Sequence, residues 1–144
     1  MTVKPIKYAI AYLIYNEDRS KFLIVQRPSD DEDLPNVWGL PAGSVRGNES
    51  FEDAVIRSGK EKLGVNLKIA KFIGRKDIER KDYILHMEEY EAEIISGMPK
   101  VPQSAKGMTQ YQDWRWGVSF DLKDAAAKGS LCSQIFLGSV GEQW

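Results

Sequence analysis

Residues 43–65 read GSVRGNESFEDAVIRSGKEKLGV, and how this stretch is parsed decides the fold. Its second half predicts an amphipathic helix. Ser50 lies three residues before Asp53, the spacing of a capping box. Phe51, Val55 and Leu63 fall near one face, with Ala54 beside them. Gly64 then closes the helix as a C-cap. Within the helix, Gly59 costs about 1 kcal/mol relative to alanine, so its presence needs a reason. Lys62 also stands where a second acid would suit the pattern better.

Upstream, YAIAYLIYNEDRSKFLIVQRP (8–28) reads as two strands joined by a polar turn. The strands are Tyr8–Tyr15 and Phe22–Gln26, and Pro28 ends the second. SDDED (29–33) is most simply a solvated loop, since neither a glycine nor a spaced ligand pattern supports an EF-hand. The following LPNVWGLPAGSVRGNES is dense in proline and glycine and predicts a structured loop without regular elements. Downstream, a strand is expected over Leu67–Ile73, extending past Gly74. A long strand over Tyr83–Ile95 and a last strand over Tyr111–Phe120 follow. In the long strand, Glu89, Glu91 and Glu93 alternate with Tyr90, Ala92 and Ile94. One or two short helices come after Asp121. This order is an α+β pattern and not a regular βαβ repeat. The glycines do not fit a Rossmann fingerprint. SGK (58–60) fails as a P-loop because position 54 is alanine.

The 144 residues fit one domain spanning 1–144. With 42% hydrophobic residues the chain can bury a core. Twenty basic against 21 acidic residues give a net charge of −1, which argues against nucleic acid bound through bulk charge. One cysteine, Cys132, excludes an internal disulfide and a cysteine zinc cluster, and reads as a small buried apolar residue. The apolar stretch Tyr8–Tyr15 is too short to span a bilayer and lacks a signal-peptide pattern. A cytoplasmic location is expected.

Taken together, Gly43, Glu49, Arg57, Glu61, Gly64 and Val65 keep the register G-x5-E-x7-R-E-U-x-E-E-x-G-U, where U is bulky aliphatic. This resembles the Nudix box. The lead-in WGLPAG (38–43), QRP (26–28) and DWRW (113–116) are similar to the family's flanking segments, so the resemblance covers nearly the whole chain. It implies an α/β/α sandwich with a mixed β-sheet. It also implies hydrolysis of a nucleoside diphosphate linked to another moiety, with magnesium or manganese held by carboxylates of the box. The chemistry is sensible, because a phosphoanhydride needs cations to neutralise its charge and activate water. Acids three and four residues apart share one helix face.

The resemblance assigns Glu61 as metal ligand and catalytic residue, Arg57 as its organiser and Gly43 as the source of a backbone carbonyl for the metal. Yet Ser58, Gly59 and Lys62 occupy the places of a glutamate, an aliphatic residue and a glutamate. Three outcomes are open. The site is a binding module for a nucleotide or an RNA end; or the Lys62 ammonium replaces one metal ion; or acids elsewhere, from Glu89, Glu91, Glu93 and Asp113, rebuild the site. For those acids a solvated face is the simpler reading, as it is for Glu52 and Asp53. Glu49 and Arg57 suit a structural ion pair as well as a functional one. Arg27 and Arg46 flank the glycine-rich loop and are the phosphate-binding candidates. Trp38 is a candidate to stack on a base, although core packing is the simpler role for Trp38, Trp114 and Trp116. His86 reads as a packed strand residue, and Lys100 and Lys106 as solvated loop lysines. The expected partner is a small nucleotide derivative, with a homodimer left open and neither membrane nor nucleic acid involved.

Overall fold

The computed structural model describes residues 3–31, 33–103 and 111–144. Eleven elements follow in chain order: β1 (Ile6–Leu13), β2 (Phe22–Gln26), β3 (Trp38–Gly39), β4 (Ala42–Ser44), α1 (Phe51–Leu63), β5 (Asn66–Glu79), β6 (Ile84–Ser96), β7 (Asp113–Gly117), a 3-10 turn (Ser119–Leu122), α2 (Lys123–Ala127) and α3 (Leu131–Ser139). β1 pairs with β6 in parallel and with β4 antiparallel, and β5 joins the far side of β6. The result is a mixed four-stranded sheet in the order β4-β1-β6-β5. A second, antiparallel sheet has the order β3-β2-β7.

The expected α+β sandwich with a mixed sheet is therefore present, and alternating residues of β1 show how it packs. Ala9, Ala11 and Leu13 join a core with Leu131, Cys132 and Phe136 of α3. Ile10, Tyr12 and Ile14 join a core with Val55 and Leu63 of α1. A strand covered on both faces loses the simple in/out alternation.

The two strands joined by the polar turn are present but lie in different sheets; next to the turn they meet through the Tyr15–Phe22 bridge and the hydrogen bond from the Leu23 amide to the Ile14 carbonyl at 2.8 Å. Both are buried along most of their length, as central strands must be. The stretch read as an irregular loop contains β3 and β4. Strands of two and three residues are too short to show a period, but they form ladders with β2 and β1. Among the described residues, no helix is long and apolar enough to cross a membrane.

Helix α1 starts and stops where its caps dictate. Ser50 Oγ accepts from the Asp53 amide at 3.0 Å, and Gly64 adopts φ +66°. That left-handed geometry aims the Gly64 and Val65 amides back at the carbonyls of Lys60 and Gly59. Gly59 also has its explanation: a Cβ there would overlap the Leu67 side chain of β5. The helix accepts a poor helix former so that β5 can pack against its last turn.

Candidate functional site

β4 lies at the edge of the mixed sheet, directly over the last turns of α1. Beside them lies a cavity of about 250 Å³. Ala9 and Met87 contribute from the sheet, and Ala42, Gly43 and Ser44 from β4. Arg27, Arg46, Arg57, Lys62 and Tyr111 complete the wall. Four of these side chains are cationic and none is a carboxylate.

Arg57 is the centre of an ion-pair frame. Its Nη2 donates to Glu49 Oε1 at 2.6 Å and to the Ser44 carbonyl at 2.7 Å, and its Nη1 donates to Glu61 Oε2 at 3.2 Å. The hydrogen bond from Arg57 holds Glu49 below the ordinary carboxylate range. The other Glu61 oxygen accepts from Arg46 Nη1 at 3.0 Å. Arg27 is clamped by Asp31 at 2.9 Å. Three of the four cations thus face an acid of their own, and both Glu61 oxygens are occupied by arginines.

Lys62 differs. It is 9% exposed, and its Nζ donates to the Ala42 carbonyl at 2.5 Å. The same carbonyl accepts from the Tyr111 hydroxyl at 3.1 Å, while the Ala42 amide donates to that hydroxyl at 3.0 Å. The Tyr111 ring lies 5.5 Å from Nζ, within cation–π reach. Among the described residues no carboxylate pairs with Lys62. Burial lowers its pKa to about 8, and the nearby Arg27 and Arg57 add to the shift. It nevertheless carries its charge at neutral pH. Ser58, one turn earlier, is fully buried and hydrogen-bonds Tyr12 across 3.0 Å.

The structure thus brings together Arg27, Arg46, Arg57, Glu61, Gly43 and Lys62. The carbonyls that meet cations belong to Ala42 and Ser44, on either side of Gly43: Lys62 takes the first and Arg57 the second. Trp38 is not in the cavity wall; it packs against the α3 core with the Arg115 guanidinium 4.5 Å over its ring. Tyr111 was missed in the sequence because nothing there marks it beyond its place at the start of the expected last strand.

The solvated-face reading of the β6 acids is corrected at two positions. Glu89 is fully buried, and neither of its oxygens has a hydrogen-bond partner among the described residues. Burial raises its pKa well above the ordinary value, which favours the protonated form. Glu91 is buried in a two-pronged pair with Arg19, at 3.1 and 3.2 Å. Glu93 is exposed, as expected. None of these acids, nor Asp113, lines the cavity. His86 sits between Asp77 and Glu88 on its own sheet and does not line the cavity. Lys100 is exposed, and Lys106 lies outside the described residues.

The donor set does not fit magnesium. That ion takes carboxylate oxygens and water in a near-octahedral shell. Here the box acids are engaged by arginines and an ammonium occupies the adjacent carbonyl. Among the described residues, no group of three or more His, Cys, Asp and Glu side chains is arranged to hold a metal.

A family model for the NUDIX domain matches residues 5–118. The CTP pyrophosphohydrolase of Escherichia coli (strain K12) is 26% identical over 81 residues, which cover 56% of this chain and 59% of the relative. The match therefore spans less than two thirds of that relative's length. Among solved structures, the MutT protein from Methanosarcina mazei Go1 superposes with a TM-score of 0.75 at 18% identity, covering 98% of this chain and 97% of that one. The MutT NUDIX hydrolase from Burkholderia pseudomallei gives 0.68 at 24% identity, over 82% and 87%. At these identities the superpositions speak for the fold.

Proposed function

This chain belongs to the NUDIX domain family, and on that premise we propose that its cavity receives the diphosphate of a nucleoside diphosphate derivative as a recognition site, without magnesium-assisted hydrolysis. The observation that carries this reading is the convergence of Arg27, Arg46, Arg57 and Lys62 on one cavity wall that holds no carboxylate. A diphosphate supplies the negative charge that such a wall lacks. Arginine forks match its oxygens, and the lysine adds a point charge. Gly43 lets α1 approach β4 closely, since a Cβ there would lie 3.2 Å from Ser58 Oγ and 3.6 Å from Lys62 Nζ.

The family's hydrolytic activity is the second reading, favoured by the preserved frame of Gly43, Glu49, Arg57 and Glu61. It requires an acid free to organise water or metal. Both Glu61 oxygens are held by Arg46 and Arg57, and the acids of β6 and β7 do not line the cavity.

The test is a ligand panel read by thermal melting and by product analysis. It includes ADP-ribose, nucleotide sugars, dinucleotides, and nucleoside di- and triphosphates. CTP is among them because the Escherichia coli relative is named for it. At least one diphosphate compound at millimolar concentration is expected to raise the melting temperature, with no phosphate-containing product formed in magnesium or manganese. A panel that leaves the melting temperature unchanged contradicts the site. Metal-dependent product formation restores the hydrolase reading.

A further inference from the structure

We infer that the Lys62 ammonium is a built-in replacement for the divalent cation, so that the cavity binds its diphosphate in the metal-free form. This inference rests on the cavity reading above and specifies the ionic form of the ligand. Nζ already occupies the Ala42 carbonyl at 2.5 Å, an oxygen of the kind a magnesium ion would need. A divalent ion beside that ammonium would be repelled by it, and twice as strongly as a monovalent one at the same distance. No carboxylate among the described residues offsets the repulsion, since Glu49 and Glu61 are already matched to arginines.

The ammonium is also held in place. The Tyr111 hydroxyl and Nζ share the Ala42 carbonyl. Neutral Ser58 and Tyr12 fill the helix face beside it, where an acid would otherwise draw the lysine away. An ammonium has three N–H donors. One is used on Ala42, and two are left for phosphate oxygens. Because Arg27, Arg46 and Arg57 are matched by acids, Lys62 supplies the excess positive charge of the wall. It therefore takes the role that a bound metal would have in neutralising the ligand.

Calorimetric titration of the full chain with ADP and with pyrophosphate, in EDTA and in excess magnesium, tests this. Affinity in EDTA should equal or exceed that in magnesium, which competes for the phosphate oxygens. Lys62→Met keeps the length of the apolar stem and should weaken binding in EDTA by about tenfold or more, the loss of one charge-assisted contact. The double variant Ser58→Glu, Lys62→Glu changes the local charge by −3 and should reverse the pattern, with weak binding in EDTA and recovery in magnesium. Binding by the unaltered chain only in magnesium overturns the inference while leaving the cavity reading intact, and needs no variant to fold. Undiminished binding by Lys62→Met in EDTA overturns it as well. Absence of binding in both buffers contradicts both readings.

Discussion

Lys62 and Glu89 are buried ionisable side chains in unlike surroundings. Lys62 lies in the last turn of α1 and Glu89 sits mid-strand in β6; both are withdrawn from water. Burial pushes each toward its neutral form, the lysine down to about 8 and the carboxyl well up. At neutral pH the lysine keeps its charge, while the carboxyl is shifted toward its neutral form. The difference lies in surroundings. Lys62 has a carbonyl, an aromatic face and an open cavity, whereas Glu89 has no polar partner among the described residues. A buried charge persists where polar groups and an open cavity support it, and is extinguished where they do not. Of the two, Lys62 is placed to act on a charged ligand, and Glu89 is a stability cost.

The strongest way to break the Lys62 side of this comparison is to dismantle the frame around it. Arg57→Ala removes donors to Glu49, Glu61 and Ser44 and leaves two acids beside the cavity. A loss of roughly 2–4 kcal/mol is expected, read as the shift of the urea midpoint. A shift below about 0.5 kcal/mol would mean that water replaces the frame without cost.

The Glu89 side is sharpened by Glu89→Met, which should stabilise the protein at neutral pH by about 1–3 kcal/mol. The sign follows from the raised folded-state pKa. Near pH 4 and below, Glu89 is largely protonated in both states. As pH rises above that range, the unfolded chain ionises while the folded chain resists, so stability is lost. The advantage of methionine should therefore narrow on going from neutral pH to about pH 4. Melting curves at the two pH values decide it. A destabilised methionine variant at both would mean that Glu89 makes hydrogen bonds worth keeping.

A smaller effect concerns the helix that delivers Lys62. Gly59→Ala gains about 1 kcal/mol of helix propensity. However, its methyl group meets Leu67 in a packed core, where such overpacking costs about 1–3 kcal/mol. Net destabilisation of about 1 kcal/mol is expected by denaturant titration. A more stable variant would show that β5 yields easily.

Parts of this picture were legible in the residues alone. The span of α1 was marked by Ser50 and Gly64, because capping is a local interaction between near neighbours. β2 was legible for the same kind of reason: an apolar run with a proline two residues beyond it. The register of Gly43, Glu49, Arg57 and Glu61 was visible, as was the loss of acids at 58 and 62. What escaped depended on distant covering. The alternation in β6 puts Glu89, Glu91 and Glu93 on one face, but it says nothing of α3 lying over part of that face or of Arg19 reaching Glu91. Tyr12 and Tyr111 are likewise brought to the neighbourhood of Lys62 by contacts distant in sequence.

The most direct measurement of the central claim is a crystal structure grown in manganese with ADP, with anomalous scattering used to locate the metal. The account predicts Lys62 Nζ within hydrogen-bonding distance of both the Ala42 carbonyl and a phosphate oxygen, with no anomalous peak beside that carbonyl. A manganese ion on the Ala42 carbonyl, with the Lys62 side chain displaced from it, would contradict the account.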